Sequence, residues 1–223
     1  MPGFFLLKIG RPGVCTSGRA RMPPVGSITA LPPGYREVYH LRVAEIRLWL
    51  PLLVVTIVAV MFSVMLAFGS LLLYHAAGAP LVFVAVPDHL VRPAGVLVLL
   101  GILPLHEWVH GQIIRRCGHR PRYGIKWYAL FTTADNAYFR RDDYVRVLLA
   151  PLWVISLLGM ALLWWVPLEA AQWIALAVVA NASGAGGDLW MAWEVRRFGP
   201  EALIRDEEDG MRVFLPENTL HSP

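Results

Sequence analysis

Apolar residues in this chain gather into four long stretches, separated by polar, basic or proline-rich segments. They cover residues 48–74, 94–114, 145–166 and 171–193. About 20 apolar residues suffice for a helix to cross a bilayer. The pattern therefore predicts an all-α polytopic membrane protein with about four transmembrane helices. The first stretch is longer than crossing requires, so its helix is expected to tilt or protrude. Pro51 falls in its first turn, where a missing N–H is tolerated.

The polar segments carry weaker signals. Residues 1–30, rich in Pro, Gly and Arg, read as a disordered N-terminal segment, with Met22 as an alternative start. Their apolar run, residues 4–7, is too short for a secretory signal. After the Pro32-Pro33-Gly34 turn, residues 35–43 suit a short strand, and 44–47 begin the first helix. Between the second and third stretches, residues 123–133 are rich in aromatic and β-branched types. They are expected to pair with 137–140 across a turn at Ala134-Asp135-Asn136, giving a short β-hairpin on the cytosolic face. Its edge offers an extended peptide a place to add as a strand; an amphipathic hairpin resting on the interface is the plainer alternative. Asp142 and Asp143 suit the N-terminus of the third helix. Residues 198–223 read as a solvated cytosolic tail with an acidic run at 206–209 and a short strand over 211–215. The membrane-embedded domain is thus placed at 31–197.

Composition supports the membrane class: 57% of the 223 residues are hydrophobic, and mean hydropathy is +0.52. The formal net charge is +4. The basic residues flank the apolar stretches, so anionic lipid headgroups are the expected neighbours and nucleic acid is not. The loop over 115–146 carries Arg115, Arg116, Arg120, Arg122, Lys126, Arg140, Arg141 and Arg146. Arg92 is the one basic residue in the two loops on the opposite face. By the positive-inside rule both termini are expected in the cytosol, in a prokaryotic cell membrane. Cys15 and Cys117 alone give no disulfide framework.

Chemistry enters with His106-Glu107-Trp108-Val109-His110, inside the second stretch. On a helix the two histidines lie one turn apart on one face, where both imidazoles can hold one metal ion. Glu107 lies beside them, placed to deprotonate a water. Charged types cost roughly 2.5–3.5 kcal/mol each at a membrane centre on insertion scales, and a zinc ion, one per chain, would account for them. Zinc at a catalytic site takes three protein ligands. The metzincin spacing fails, since its third histidine falls on Arg116 and its glycine on Ile113. The next glutamate, Glu169, lies on the opposite face. Cys117 is two turns past His110, roughly 10 Å by helical rise, and His119 is farther still. Asp135, Asp142 and Asp143 belong to the cytosolic loop. Asp188, in the fourth stretch, matches His110 in depth and is the remaining candidate for the third ligand. Around it, Ser183, Gly184, Gly186 and Gly187 predict close approach of a neighbouring helix. Asn181, two turns before Asp188, can donate to an oxyanion, orient a ligand or simply pack between helices.

HEWVH in one apolar stretch, followed by NASGAGGD two stretches later, resembles the zincin peptidases related to site-2 proteases. The segment LPPGYREV and the tail around 205–216 share the resemblance, which covers roughly 31–216. The longer Asn-Pro and Leu-Asp-Gly signature of well-characterised site-2 proteases is absent. The resemblance implies an intramembrane zinc metalloprotease that hydrolyses a membrane protein or peptide substrate within the lipid bilayer. In that reading His106, His110 and Asp188 are the metal ligands, Glu107 is the general base, and Asn181 is a further catalytic-site residue. The alternative is a non-catalytic metal-binding membrane protein that assembles or sequesters a partner. A transporter is disfavoured by the lack of any inverted-repeat signal.

Overall fold

The computed structural model describes residues 28–42, 88–126, 129–163, 165–166 and 168–220, with scattered positions between 53 and 76. The N-terminal segment, the choice of start, most of the first apolar stretch and the loop after it lie outside the described residues. The positions described between 53 and 76 are helical, continuously over 60–65.

The elements in chain order are β1 (Tyr35–Arg42), α1 (Asp88–Arg116), β2 (Pro121–Lys126), β3 (Ala129–Ala134) and β4 (Tyr138–Arg140), then α2 (Arg141–Leu163), α3 (Leu168–Gly184) and α4 (Gly186–Val195), and finally β5 (Leu203–Glu207), β6 (Gly210–Pro216) and α5 (Glu217–Leu220). The expectation of an all-α, four-span protein is overturned. Among the described residues the protein is mixed α/β, with five named helices and six strands in two antiparallel sheets. Two helices, over Arg92–Arg116 and Arg141–Leu163, are long and apolar enough to cross a membrane.

The physical reasons are local. The stretch 171–193 is largely apolar, and hydropathy does not register a break in the helix. The helix is interrupted at Ala185 (φ −74°, ψ −1°), which leaves α3 with 17 residues and α4 with 10. Each is shorter than a bilayer requires. Gly186 at the bend has a structural task. A Cβ there would lie 2.1 Å from Thr56 Oγ1, so only glycine lets the two segments approach.

The supposed solvated tail is two strands. Its acidic run spans the end of β5 and the β5–β6 turn and masks in the sequence the apolar residues on either side, where Leu203, Ile204, Met211 and Val213 are buried. Gly210 makes the turn possible: its φ is +153°, and a Cβ would collide with Leu41 O. The sheet order is β1–β6–β5–β4. The tail therefore supplies both inner strands.

The hairpin is also paired differently from expectation. β2 pairs with β3, from Pro121 opposite Ala134 to Lys126 opposite Ala129. The segment 123–133 thus folds back on itself, and Tyr138–Arg140 joins β5 instead. That partner is over 60 residues away in sequence, beyond the reach of a local turn signal.

The four-stranded sheet packs on one common end of the helices. Leu41, Phe139, Ile204 and Val213 form a single core with Ile114 of α1, Tyr144 and Val145 of α2, and Val195 of α4. Further from the sheet, α1 and α2 present exposed apolar side chains, including Leu97, Leu100 and Trp108 on α1 and Trp153, Leu158 and Leu162 on α2.

Candidate metal centre

His106, Glu107 and His110 lie in the last three turns of α1, after an uncharged apolar run from Pro93 to Leu105. The histidines are one turn apart and both are buried, 4% and 6% exposed. Their rings meet edge to face with centroids 4.8 Å apart. The bend at Ala185 puts Asp188 in the first turn of α4 and aims its carboxylate at both rings. Asp188 Oδ2 is 3.0 Å from His106 Nε2 and 3.4 Å from His110 Nε2, and the two Nε2 atoms are 3.1 Å apart.

The other ring nitrogens fix the tautomers. His110 Nδ1 lies 2.8 Å from the Val147 carbonyl, which can only accept, so this nitrogen carries the proton. His106 Nδ1 lies 2.9 Å from Asn181 Oδ1. The Asn181 amide cannot be turned round, because its Nδ2 donates to Pro151 O at 3.2 Å. His106 Nδ1 is therefore protonated as well. In the neutral form of both imidazoles, two Nε2 lone pairs and a carboxylate face one another.

Three acceptors at such distances repel unless a proton or a metal cation joins them. Tetrahedral zinc with bonds of about 2.05 Å separates its ligand atoms by about 3.3 Å. The observed edges of 3.0, 3.1 and 3.4 Å match that figure, so the donor set fits zinc. The Glu107 carboxylate is a second acidic neighbour, within 4.8 Å of the imidazole nitrogens. His106, Glu107 and His110 form a group able to hold a metal. Asp188 approaches both rings more closely, which suits it to ligation and leaves Glu107 at the side.

Several contributors carried no sequence signal that was used. Val147 O is free because Pro151, four residues on, has no N–H to bond it. That proline is legible in the sequence, and its consequence for a histidine on another helix is not. Thr132 of β3 donates to the Glu107 backbone carbonyl at 3.0 Å, fixing the small sheet over the site. Tyr144 Oη donates to Asp206 Oδ1 at 2.6 Å. Burial pushes the Asp206 carboxyl up to about 6, against the hydrogen bonds from Tyr144 and Thr133 that pull it down. Both residues line a cavity of about 280 Å³ that also holds His106, Glu107, His110 and Asp188, with β3 on one wall and the β5–β6 turn on another. Across its mouth, Arg122 pairs with Glu208 and Lys126 with Asp209.

The structure thus brings together all five residues singled out in the sequence. Asn181 has its oxygen on His106 and its nitrogen on Pro151 O. This geometry orients the His106 ring. His119 and Cys117 lie in a different groove.

Residues 99–203 match the family described as "Putative zincin peptidase". The matched segment runs from α1 to the start of β5 and contains every residue of the centre except Asp206, in agreement with the resemblance carried by HEWVH and NASGAGGD. No curated protein and no solved structure matches the chain.

Proposed function

We propose, from the zincin-peptidase match over 99–203, that the chain is an intramembrane zinc metallopeptidase acting on membrane-associated proteins or peptides. The observation that carries this reading is the convergence of two Nε2 lone pairs and the Asp188 carboxylate on one point, with edges of 3.0–3.4 Å. One zinc per chain, held by His106, His110 and Asp188, would supply Lewis acidity toward water and a peptide carbonyl.

The chain's own residues do the rest. Asn181 and Val147 O hold the two imidazoles in the tautomer that presents Nε2. Glu107 takes a proton from the attacking water and returns it to the leaving amine. The wall formed by Leu130–Thr133 of β3 gives an extended substrate segment a strand to lie along.

Membrane placement rests on the outward apolar faces of α1 and α2, which would be unfavourable in water. Arg115, Arg116, Arg196 and Arg197 lie at the sheet end of the helices, which supports a cytosolic side for that end by the positive-inside rule. β1 and β6 share the sheet, so the chain's early and late segments lie on the same side.

The test separates chemistry from binding. Purified wild type and Glu107→Gln should each carry about one zinc per chain by elemental analysis. Membrane proteomes of cells carrying the two forms should differ by a single-pass protein that accumulates uncut with Glu107→Gln. Undiminished cleavage by that variant overturns the mechanism. Zinc retained in full by Asp188→Ala overturns the ligand set.

A further inference from the structure

A groove of about 970 Å³ lies on the far side of α2 from the metal centre. Its floor is apolar: Ile113 of α1, with Val145, Leu149 and Trp153 of α2. Its rim is cationic: Arg116, Arg140, Arg146 and Arg196. One carboxylate in the lining, Asp143, opposes these four guanidiniums, and it pairs with Arg146 at 2.8 Å. Among the described residues no carboxylate pairs with Arg116 or Arg196, and both are exposed. His119 also lines the groove, and burial pushes it below its ordinary value, so it adds no charge.

Polarity changes along the groove. The arginines sit at the sheet end of the helices, and the apolar floor continues down α2 toward its middle. Arg146 and Trp153 are seven residues apart, about 10 Å along the axis. Trp153 is 53% exposed, at a depth suited to the interface between headgroups and acyl chains.

We propose that this groove is a binding site for an anionic phospholipid, with the phosphate among Arg116, Arg146 and Arg196 and an acyl chain along Leu149 and Trp153. The charge complementarity is direct, since guanidinium groups present paired donors to phosphate oxygens. Inorganic phosphate would use the rim and leave the floor bare. An acidic peptide would lack the hydrocarbon that the floor continues to accept below the rim. The inference rests on the membrane reading above.

The test uses the full chain purified in a neutral detergent and titrated with phosphatidylglycerol, phosphatidylcholine or inorganic phosphate. The readouts are lipid retention in native mass spectrometry and the thermal midpoint. Phosphatidylglycerol should be retained and raise the midpoint, whereas phosphatidylcholine and phosphate should not. Arg116→Glu with Arg196→Glu should weaken retention by roughly tenfold or more. Arg36→Glu with Arg42→Glu, of equal net charge but on β1, should not. Trp153→Ala should weaken retention of long-chain phosphatidylglycerol more than of its dihexanoyl form. Equal retention of phosphatidylglycerol and phosphatidylcholine by the wild type overturns the inference whatever the variants do, as does a stabilisation that phosphate alone reproduces. Carbonate extraction of cell membranes is run in parallel. A chain released into the supernatant defeats the membrane reading itself, whereas an embedded chain without lipid preference defeats this inference alone.

Discussion

At the residue scale the centre depends on two backbone carbonyls that would ordinarily have no part in chemistry. Val147 O is available to His110 only because Pro151 cannot donate to it. Pro151→Ala should restore a competing N–H, so that His110 orients less well and zinc binds roughly tenfold more weakly, while helix content stays the same or rises. A competition titration with a chromophoric chelator reads this, and unchanged affinity would remove the carbonyl from the account. Asn181→Ala should lower zinc affinity by about 10–100-fold, and Asn181→Asp, which keeps an acceptor oxygen for His106, should lower it less.

Asp206 gives a pH signature. Its carboxyl titrates near 6 in the folded chain and near 3.9 unfolded. The folded state therefore holds the proton more tightly between those values. Its favourable effect is full below about pH 4, is lost as pH rises to about 6, and stays lost above. Asp206→Asn should flatten that part of the stability profile, as followed by chemical denaturation across pH. Identical profiles for the two proteins would refute the assignment.

At the element scale the interruption at Ala185 decides where Asp188 points. It ends α3 and starts α4, so that Asp188 falls in the first turn of α4 with its carboxylate against both histidines. Gly186 holds that arrangement against Thr56. Gly186→Ala should lose about 1–3 kcal/mol of stability through the clash, part of it regained with Thr56→Ala, as measured by thermal unfolding. What could be read in the sequence follows element length. α1 and α2 were visible because a long apolar run signals itself residue by residue. HEWVH was visible because a helical turn is a local relation. The bend was not visible, because glycine-rich apolar sequence suits a straight helix as well as a bent one. The strand expected over 211–215 is β6, whereas its neighbour β5 was obscured by Asp206, Glu207, Glu208 and Asp209, whose charge dominates a short window. The partner of β4 was hidden for a different reason: pairing across more than 60 residues is settled by packing on Ile114 and Tyr144, not by local propensity.

At the scale of the whole molecule, the segment that reads as a solvated tail closes the fold. β6 lies between β1 and β5, and β5 carries Asp206 into the cavity wall. A chain ending at residue 197 should therefore fail to accumulate, or accumulate without bound zinc; a truncated protein with full zinc content would show the sheet to be an accessory. The three donors of the centre come from positions as far apart as 106 and 188, an 82-residue separation. In the proposed reading, ligation across that distance would be a cross-link tying α4 to α1. Because such a site exists only in the folded chain, the binding free energy of the ion would add to folding stability. Stripping the ion with a chelator should then do more than silence the enzyme: the glycine-flanked joint would be released, and the carboxylate arm would swing free of the imidazoles.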